Sequence, residues 1–513
     1  MAKADYLLGI DIGTTGSKAL LIHTTGEPAA EATAEYPMST PHPLWAEQDP
    51  AEWWSATLTA IREALARAGA TGTQVAGVGL TGQMHGLVLL DAAGQVLRPC
   101  IMWNDQRTAE QCAAITQSVG AARILQLTGN PVLPGFTAPK IVWVREHEPQ
   151  VWGRIAHVLL PKDYIRYRLT GALLGEVSDA SGTALFDVGR RQWSEEMLAA
   201  VGIPRAWLPE VTESPEPGAT ISPEAAERTG LRAGTPVVGG GGDQAAQAVG
   251  CGIVREGLVS ATLGTSGVVF AASDAYRVEP AGRLHAFCHA VPGMWHLMGV
   301  MLSAAGSFRW YRDTLGEAEV ADARKRGRSA YELLTEQAAG VAAGCEGLLF
   351  LPYLSGERTP HPDPHARGAF VGLTLRHTKA HLTRAVLEGV SYGMGDSLSL
   401  MRDLGVAIRQ VRASGGGARS RLWRQMLADV FRTPIATLNV TQGAALGAAL
   451  LAGVGVGVFA DVPAAAEQVV RVVEELPPGP DADVYARYYP RYRALYPALA
   501  AEFAALAKVA ADA

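Results

Sequence analysis

Tyr6-Leu7-Leu8-Gly9-Ile10 runs into Asp11-Ile12-Gly13-Thr14-Thr15-Gly16-Ser17-Lys18, and Ala19-Leu20-Leu21-Ile22 follows. An apolar run that breaks into Gly and Thr and then resumes predicts a β-hairpin with outward-facing turn amides. Much later the pattern returns: Leu258-Val259-Ser260-Ala261-Thr262-Leu263, then Gly264-Thr265-Ser266-Gly267. Successive N–H groups in such a turn form a nest for phosphate oxygens. Gly lets a ligand approach the backbone, and the hydroxyls add donors. Only the first loop carries an acid at its strand end, Asp11, and a carboxylate beside a phosphate nest suits an intervening divalent cation. Two tight turns in an ordinary α/β protein are the competing reading, because Gly and Thr favour turns for local reasons. Neither loop is a Walker A motif or the three-glycine dinucleotide fingerprint.

A chain of 513 residues is too long for one hydrophobic core, so two large domains are expected. Apolar residues make up 48%, enough for substantial cores. A net charge of -6 argues against broad nucleic-acid binding. Cys100, Cys112, Cys251, Cys288 and Cys345 lack metal-ligand spacing and suit free thiols in a reducing compartment. Met1 to Asp5 lacks the basic-then-apolar pattern of a secretory signal. Thr433 to Ala460 has no charged residue, but its centre, Gly443 to Ala452, is dominated by small residues. That composition predicts a close-packed internal helix ending in a Gly-rich turn rather than a lipid-facing span.

Working outward from the first hairpin, Ala30 to Tyr36 predicts a third strand, giving a mixed sheet. A helix with Trp53, Trp54, Leu58, Ile61 and Leu65 on one face follows. Val75 to Leu80 reads as a buried strand ending in Thr81-Gly82-Gln83-Met84-His85-Gly86. Polar side chains at the carboxyl end of a sheet strand occupy the favoured ligand position. His85 is equally readable as a contact to a hydroxylated ligand or as a satisfied structural histidine. Ile101-Met102-Trp103 predicts another strand, with Trp103 as a flat apolar wall. Residues from about 110 to 205 read as helical.

Thr235-Pro236-Val237-Val238 then leads into Gly239-Gly240-Gly241-Gly242-Asp243-Gln244. So long a glycine run costs backbone entropy and needs a reason, such as close approach of a ligand. Asp243 is either the cap of the next helix or a general base. Val254 to Gly257 suits a crossing between domains. Helices are expected over 303–343 and 379–403. Val411 to Ser414 predicts a strand entering Gly415-Gly416-Gly417, whose flat edge fits a nucleobase or ribose, or simply turns into a helix.

Together these pieces resemble the FGGY family of carbohydrate kinases. Further pieces carry the likeness: Trp103-Asn104-Asp105-Gln106-Arg107, Gly135 to Lys140 with Trp143, Tyr353 to His361, Gly368 to Thr374, and Ala444 to Ala449. The likeness is nearest to members that phosphorylate D-xylulose. It implies an α/β fold: two actin-like (ribonuclease H-like) ATPase domains, with mixed β-sheets flanked by helices, facing across a central cleft. Residues 1–253 would carry the sugar site and first phosphate loop, and 254–513 the second phosphate loop and adenosine site. The implied reaction uses ATP and Mg²⁺. By resemblance Asp243 matches the catalytic Asp, and Asp11 an acid near the phosphates and the metal. Met84 and His85 match the sugar-contacting pair, with Trp103 and Gln244 beside them. Gly13, Thr14, Thr15 and Lys18 fall in the first nucleotide loop, Gly264, Thr265 and Ser266 in the second, and Gly416 and Gly417 in the adenosine loop.

The implied partners are a small sugar and ATP, with neither nucleic acid nor membrane, in the cytoplasm; a homodimer is left open. Two positions depart from the pattern: Gln244 stands where Asn is common, and Gly443-Ala444 where Gly-Pro is common. Gln244 leaves room for another ketose or polyol, such as L-ribulose or glycerol. A nucleotide-dependent hydrolase would leave Met84 and His85 unexplained. A non-catalytic nucleotide sensor would have no use for Asp243 and Asp11.

Overall fold

A computed structural model describes residues 5–511; Met1 to Ala4, part of the opening that lacks a secretory pattern, lie outside the described residues. Strands β1 (Tyr6–Ile12) and β2 (Gly16–His23) form the expected hairpin, with Asp11 opposite Lys18. Strand β3 (Pro28–Glu35) adds antiparallel to β2. Helix α1 (Pro50–Ala68) starts at Asp49, whose carboxylate accepts from Ala51 N, and ends at the left-handed Gly69. Its buried face includes Trp53, Trp54, Leu58, Ile61 and Leu65. Strand β4 (Val75–Gly82) runs parallel to β1. Strands β5 (Pro217–Thr220) and β6 (Pro236–Val238) complete the order β5-β6-β4-β1-β2-β3, and Gly241–Gly242 pairs with the end of β4. Helix α2 (Asp243–Gly250) follows at once.

The second sheet contains β7 (Gly257–Leu263), β8 (Gly267–Ser273), β9 (His285–Cys288), β10 (Trp295–Met301), β11 (Ile408–Ser414), β12 (Ile435–Leu438) and β13 (Val472–Leu476), in the order β9-β10-β8-β7-β11-β12-β13. The series β3-β2-β1-β4-β6-β5 and β10-β8-β7-β11-β12-β13 have the same succession of pairings: antiparallel, antiparallel, parallel, parallel, antiparallel. The chain therefore holds two α/β units of one design, each with a Gly-Thr hairpin at its centre. Helices α3 (Ala305–Leu315) and α4 (Lys379–Asp403) cover the second unit.

Two expectations need correction. The stretch from 110 to 205 is not wholly helical: it also holds the strands His157–Leu159, Leu174–Glu176, Phe186–Asp187 and Gln192–Trp193. These strands are two or three residues long, too short for a period-2 pattern to register. The strand before Trp103 is only Cys100–Ile101, which pairs with Glu47–Gln48 and, at Ile101, bridges Leu87, so Trp103 lies beyond it.

Helix α5 (Ala444–Gly455) is buried along Ala444 to Gly453, as its composition predicts. It packs across β1, β4 and α2 of the first unit, although its sequence lies in the second half. Small residues allow this approach: a Cβ at Gly9 would lie 2.0 Å from Ala445 O, and one at Gly79 2.0 Å from Ala448 O. Among the described residues, no helix is long and apolar enough to cross a membrane.

Because Ala448 O belongs to helix backbone, it has little room to yield. Gly79→Ala is expected to cost about 3 kcal/mol or more, beyond ordinary overpacking of flexible side chains. Gly69→Ala, where an added Cβ meets nothing within 4 Å, should cost only the left-handed penalty of about 1–2 kcal/mol. Chemical denaturation of the two variants checks this ordering.

Candidate active site

The first hairpin turn has its acceptors tied inward. Gly13 O accepts from the Tyr36 hydroxyl at 2.5 Å and from Gln83 Nε2 at 3.4 Å. Thr14 O accepts from Gln48 Nε2 at 2.7 Å, and Thr15 O from Tyr36 N at 3.2 Å. Gln48 is held in turn by Trp53 Nε1, which donates to its Oε1 at 2.9 Å. The amides of Thr14 and Thr15 have no protein partner among the described residues, so the turn presents donors outward. Gly13 is different: its N–H donates to Gly16 O at 3.0 Å, making it a structural member of the loop. Trp103 Nε1 donates to Thr14 Oγ1 at 3.1 Å, so this indole braces the first loop. Lys18 faces Asp11 across the hairpin.

The second turn is built the same way with different parts. Gly264 O accepts from Ala305 N at 2.9 Å, and Thr265 O accepts from Ala304 N at 3.0 Å and Gly306 N at 3.1 Å. The start of α3 thus satisfies the carbonyls of Gly264 and Thr265, while the amides of Gly264, Thr265 and Ser266 have no protein partner among the described residues. Thr265 and Ser266 are exposed. Thr262 Oγ1 lies 3.0 Å from Ser414 Oγ and accepts from Gln247 Nε2 of α2 at 3.3 Å, which links the two units beneath the turn. At the end of β11 Gly416 is exposed, whereas Gly417 is buried against Leu263 and Trp423. Of the two, Gly416 is the one with an open face.

His85 follows the end of β4 with φ of 70°, a strained value for a residue with a side chain. Its carbonyl is held by the Thr137 hydroxyl at 3.1 Å and by the buried Lys140 ammonium at 3.0 Å. The ring stacks on Phe136 at 4.7 Å, and Nδ1 lies 2.6 Å from Gly182 O. A carbonyl only accepts, so Nδ1 carries the proton. Burial lowers the imidazole pKa to about 3, leaving it neutral with Nε2 as a free acceptor. Met84 lies against Gly242, next to Asp243.

Asp243 is the first residue of α2, with Gly242 at the N-cap position, so the simple capping reading does not apply. Burial pushes its carboxyl up to about 7, and the nearby Asp11 charge pushes the same way; Gln244 pulls it down. Burial also raises Asp11 to about 6, against the pull of Lys18. Both side chains keep part of their surface open. Two carboxylates raised in this way fit Mg²⁺, which typically takes one or two protein carboxylates plus waters and substrate phosphates. Asp11 is the better placed of the two to hold it, beside the first loop.

Sequence reading assigned no role to several residues that shape this site. Tyr36, Gln48 and Gln83 orient the first loop, while Phe136, Thr137 and Lys140 fix His85. Arg358 is half-buried, and its guanidinium has no hydrogen-bond or ion-pair partner among the described residues. It lies close enough to His85 and His285 for its charge to lower both imidazoles further, after burial. Gly135 to Lys140 and Tyr353 to His361 were legible as motifs, but the partners of their side chains are set by tertiary contact.

A carboxyl whose pKa is raised by folding favours the folded state below its unfolded value and loses that contribution as pH rises through the folded value. For Asp243 the window runs from about pH 4 to about pH 7. Asp243→Asn stays neutral, so its thermal stability relative to the parent should rise between pH 5 and pH 8 in the ligand-free protein. A constant difference across that range would contradict the raised carboxyl.

Residues 6–250 match the N-terminal domain, and 259–456 the C-terminal domain, of the FGGY family of carbohydrate kinases. The chain is 46% identical over 462 residues to a xylulose kinase of Klebsiella pneumoniae, covering 89% of this chain and 91% of that one. It is 43% identical over 507 residues to a xylulose kinase of Escherichia coli (strain K12), covering 95% and 98%. The crystal structure of xylulose kinase from Rhodospirillum rubrum superposes with a TM-score of 0.91 at 35% identity, covering 97% and 99%. With both domain models matched in order, the chain belongs to the FGGY family of carbohydrate kinases.

Proposed function

We propose that this chain is a xylulose kinase, transferring the γ-phosphoryl group of ATP to O5 of D-xylulose to give D-xylulose 5-phosphate and ADP. The observation that carries the reading is the placement of Asp243. It shares its site with Asp11 at the first amide nest, lies beside Met84, and starts the helix that bonds the strand leading to the second nest. Phosphoryl transfer needs little covalent help from a protein; positioning and electrostatics do most of the work. The open amides of Thr14, Thr15, Gly264, Thr265 and Ser266 would hold phosphate oxygens, and Gly416 would face the adenosine.

Asp243 accepts the proton of the attacking hydroxyl, a task suited to a carboxyl with pKa near 7. The neutral His85 accepts a hydrogen bond from another sugar hydroxyl at Nε2, and Arg358 supplies a cation facing the same pocket. Bound Mg²⁺ would neutralise phosphate charge, with Asp11 as its protein carboxylate. The duplicated sheet order supports reading the units as actin-like (ribonuclease H-like) ATPase domains. The 253/254 division separates the two sheets, although α5 belongs to the first unit by packing. Five buried, unpaired cysteines support a reducing, cytoplasmic setting.

ADP release with D-xylulose, L-ribulose, glycerol and gluconate tests the substrate. D-Xylulose should give the highest kcat/KM, and product NMR should find the phosphate on O5. A preference for glycerol or gluconate would overturn the assignment; one for L-ribulose would point to Gln244. Asp243→Ala should lower kcat by about 10²–10⁴-fold in a folded protein, the usual contribution of a positioned base. In the parent enzyme, kcat/KM for the sugar should fall below about pH 7, as Asp243 takes up a proton. His85→Ala should raise the sugar KM well above any change in the ATP KM.

A further inference from the structure

The segment from Glu176 to Gly182 touches both reacting sides of the site. The Gly242 amide donates to Ser178 Oγ at 3.0 Å, immediately before Asp243. Ser178 passes the bond on, its hydroxyl donating to Glu176 Oε2 at 2.8 Å. Glu176 Oε1 accepts from the Ser178 amide at 2.8 Å and the Ser214 hydroxyl at 2.7 Å. The Ser214 carbonyl accepts from Gly240 N at 2.9 Å, back in the glycine run. Arg166 Nη2 holds Gly239 O at 2.7 Å. Four residues later on the same segment, Gly182 O accepts from His85 Nδ1. One short piece of backbone therefore sets the separation of Asp243 and His85.

This frame is anchored in a dry ion cluster. Lys162 Nζ lies 2.6 Å from Asp163, 3.3 Å from Asp179 and 3.9 Å from Glu176, and Arg166 lies 3.0 Å from Asp163, all with side chains at most 2% exposed. Burial, with Asp163 and Glu176 beside it, holds Asp179 well above the usual carboxylate range. Removing one partner of such a cluster strands a buried charge and costs several kcal/mol, so the ions are poor probes of catalysis. Ser178 is uncharged and sits at the one point where the cluster reaches Gly242.

We infer that Ser178, backed by Glu176, is a positioning residue for phosphoryl transfer: its hydroxyl fixes the Gly242 amide and so aims Asp243 at the attacking hydroxyl of the sugar, while His85 holds another hydroxyl of the same sugar. The inference rests on the kinase reading above. Without that bond Gly242 is left with a buried unpaired amide, and α2 begins from a looser turn. Misplacement by fractions of an ångström lowers kcat without weakening a ligand held by other loops.

The test measures phosphotransfer to D-xylulose per folded molecule, with the folded fraction taken from circular dichroism. Ser178→Ala is expected to lose 10- to 100-fold in kcat with KM for Mg-ATP within twofold of the parent. Ser178→Thr, which keeps the hydroxyl, should recover most of the rate. If the alanine variant does not fold, Ser178→Cys carries the same comparison, because a thiol fills the space and bonds weakly. A kcat within threefold of the parent, a loss that tracks only the unfolded fraction, or a threonine variant no better than alanine would each overturn the inference. A parent enzyme inactive on every sugar would instead sink the functional reading.

Discussion

Two carboxylates held near one another in a poorly hydrated site repel, and both stay partly protonated near neutrality. Asp11 and Asp243 are in that condition, at about 6 and about 7. No fold reaches it for nothing, because the charged forms are disfavoured by burial and by each other. Much of the surrounding structure resists their separation. Asp11 is fixed by the strand pairing of β1 with β2 on one side and β4 on the other. Asp243 is fixed by the glycine run, whose Gly241–Gly242 pairs with the end of the same β4. One strand therefore sets the spacing of both acids. A cation placed between them would relieve that repulsion.

The same economy explains the two turns. An amide nest attracts an anion only if its own carbonyls point away, and here every carbonyl from 13 to 15 and at 264 and 265 has a donor behind it. The donors differ: side chains of Tyr36, Gln48 and Gln83 in the first unit, the backbone start of α3 in the second. Matching geometry reached with unlike residues is what a duplicated fold looks like after its sequence signal has faded.

That difference marks how far the sequence could be read. Both hairpins, helices α1 and α4, the buried helix α5 and the turn into Asp243 follow from apolar periodicity and glycine placement, which are local properties. Identical strand pairing in the two units does not, since β9, β10, β5 and β13 are short or lack clean alternation. His85 was legible as a residue at a strand end, but its tautomer depends on Gly182, nearly a hundred positions away. The stretch from 110 to 205 reads as helical with turns because its strands span two or three residues. Ser178 and Glu176, which brace the glycine run, lie within it. Gly13 stood in a phosphate motif, yet its amide closes the hairpin.

The units are not independent bodies joined by a linker. Helix α5 shares a buried cluster with Leu7, Leu20 and Ile22 of the first sheet, and that cluster also takes in Ala290 and Val291 beyond β9. A second shared cluster packs Phe287, Cys288 and Met298 against residues around Phe136 and Ala180. Hydrogen bonds cross at the same place: Cys288 N donates to Ser181 Oγ at 3.0 Å, and Asn130 Nδ2 to Ala286 O at 2.8 Å. These contacts tie the two units together beside the segment that frames Asp243 and His85, which reaches Cys288 N through Ser181. The geometry of Asp243 and His85 is therefore set by packing from both halves of the chain, and not by the first sheet alone.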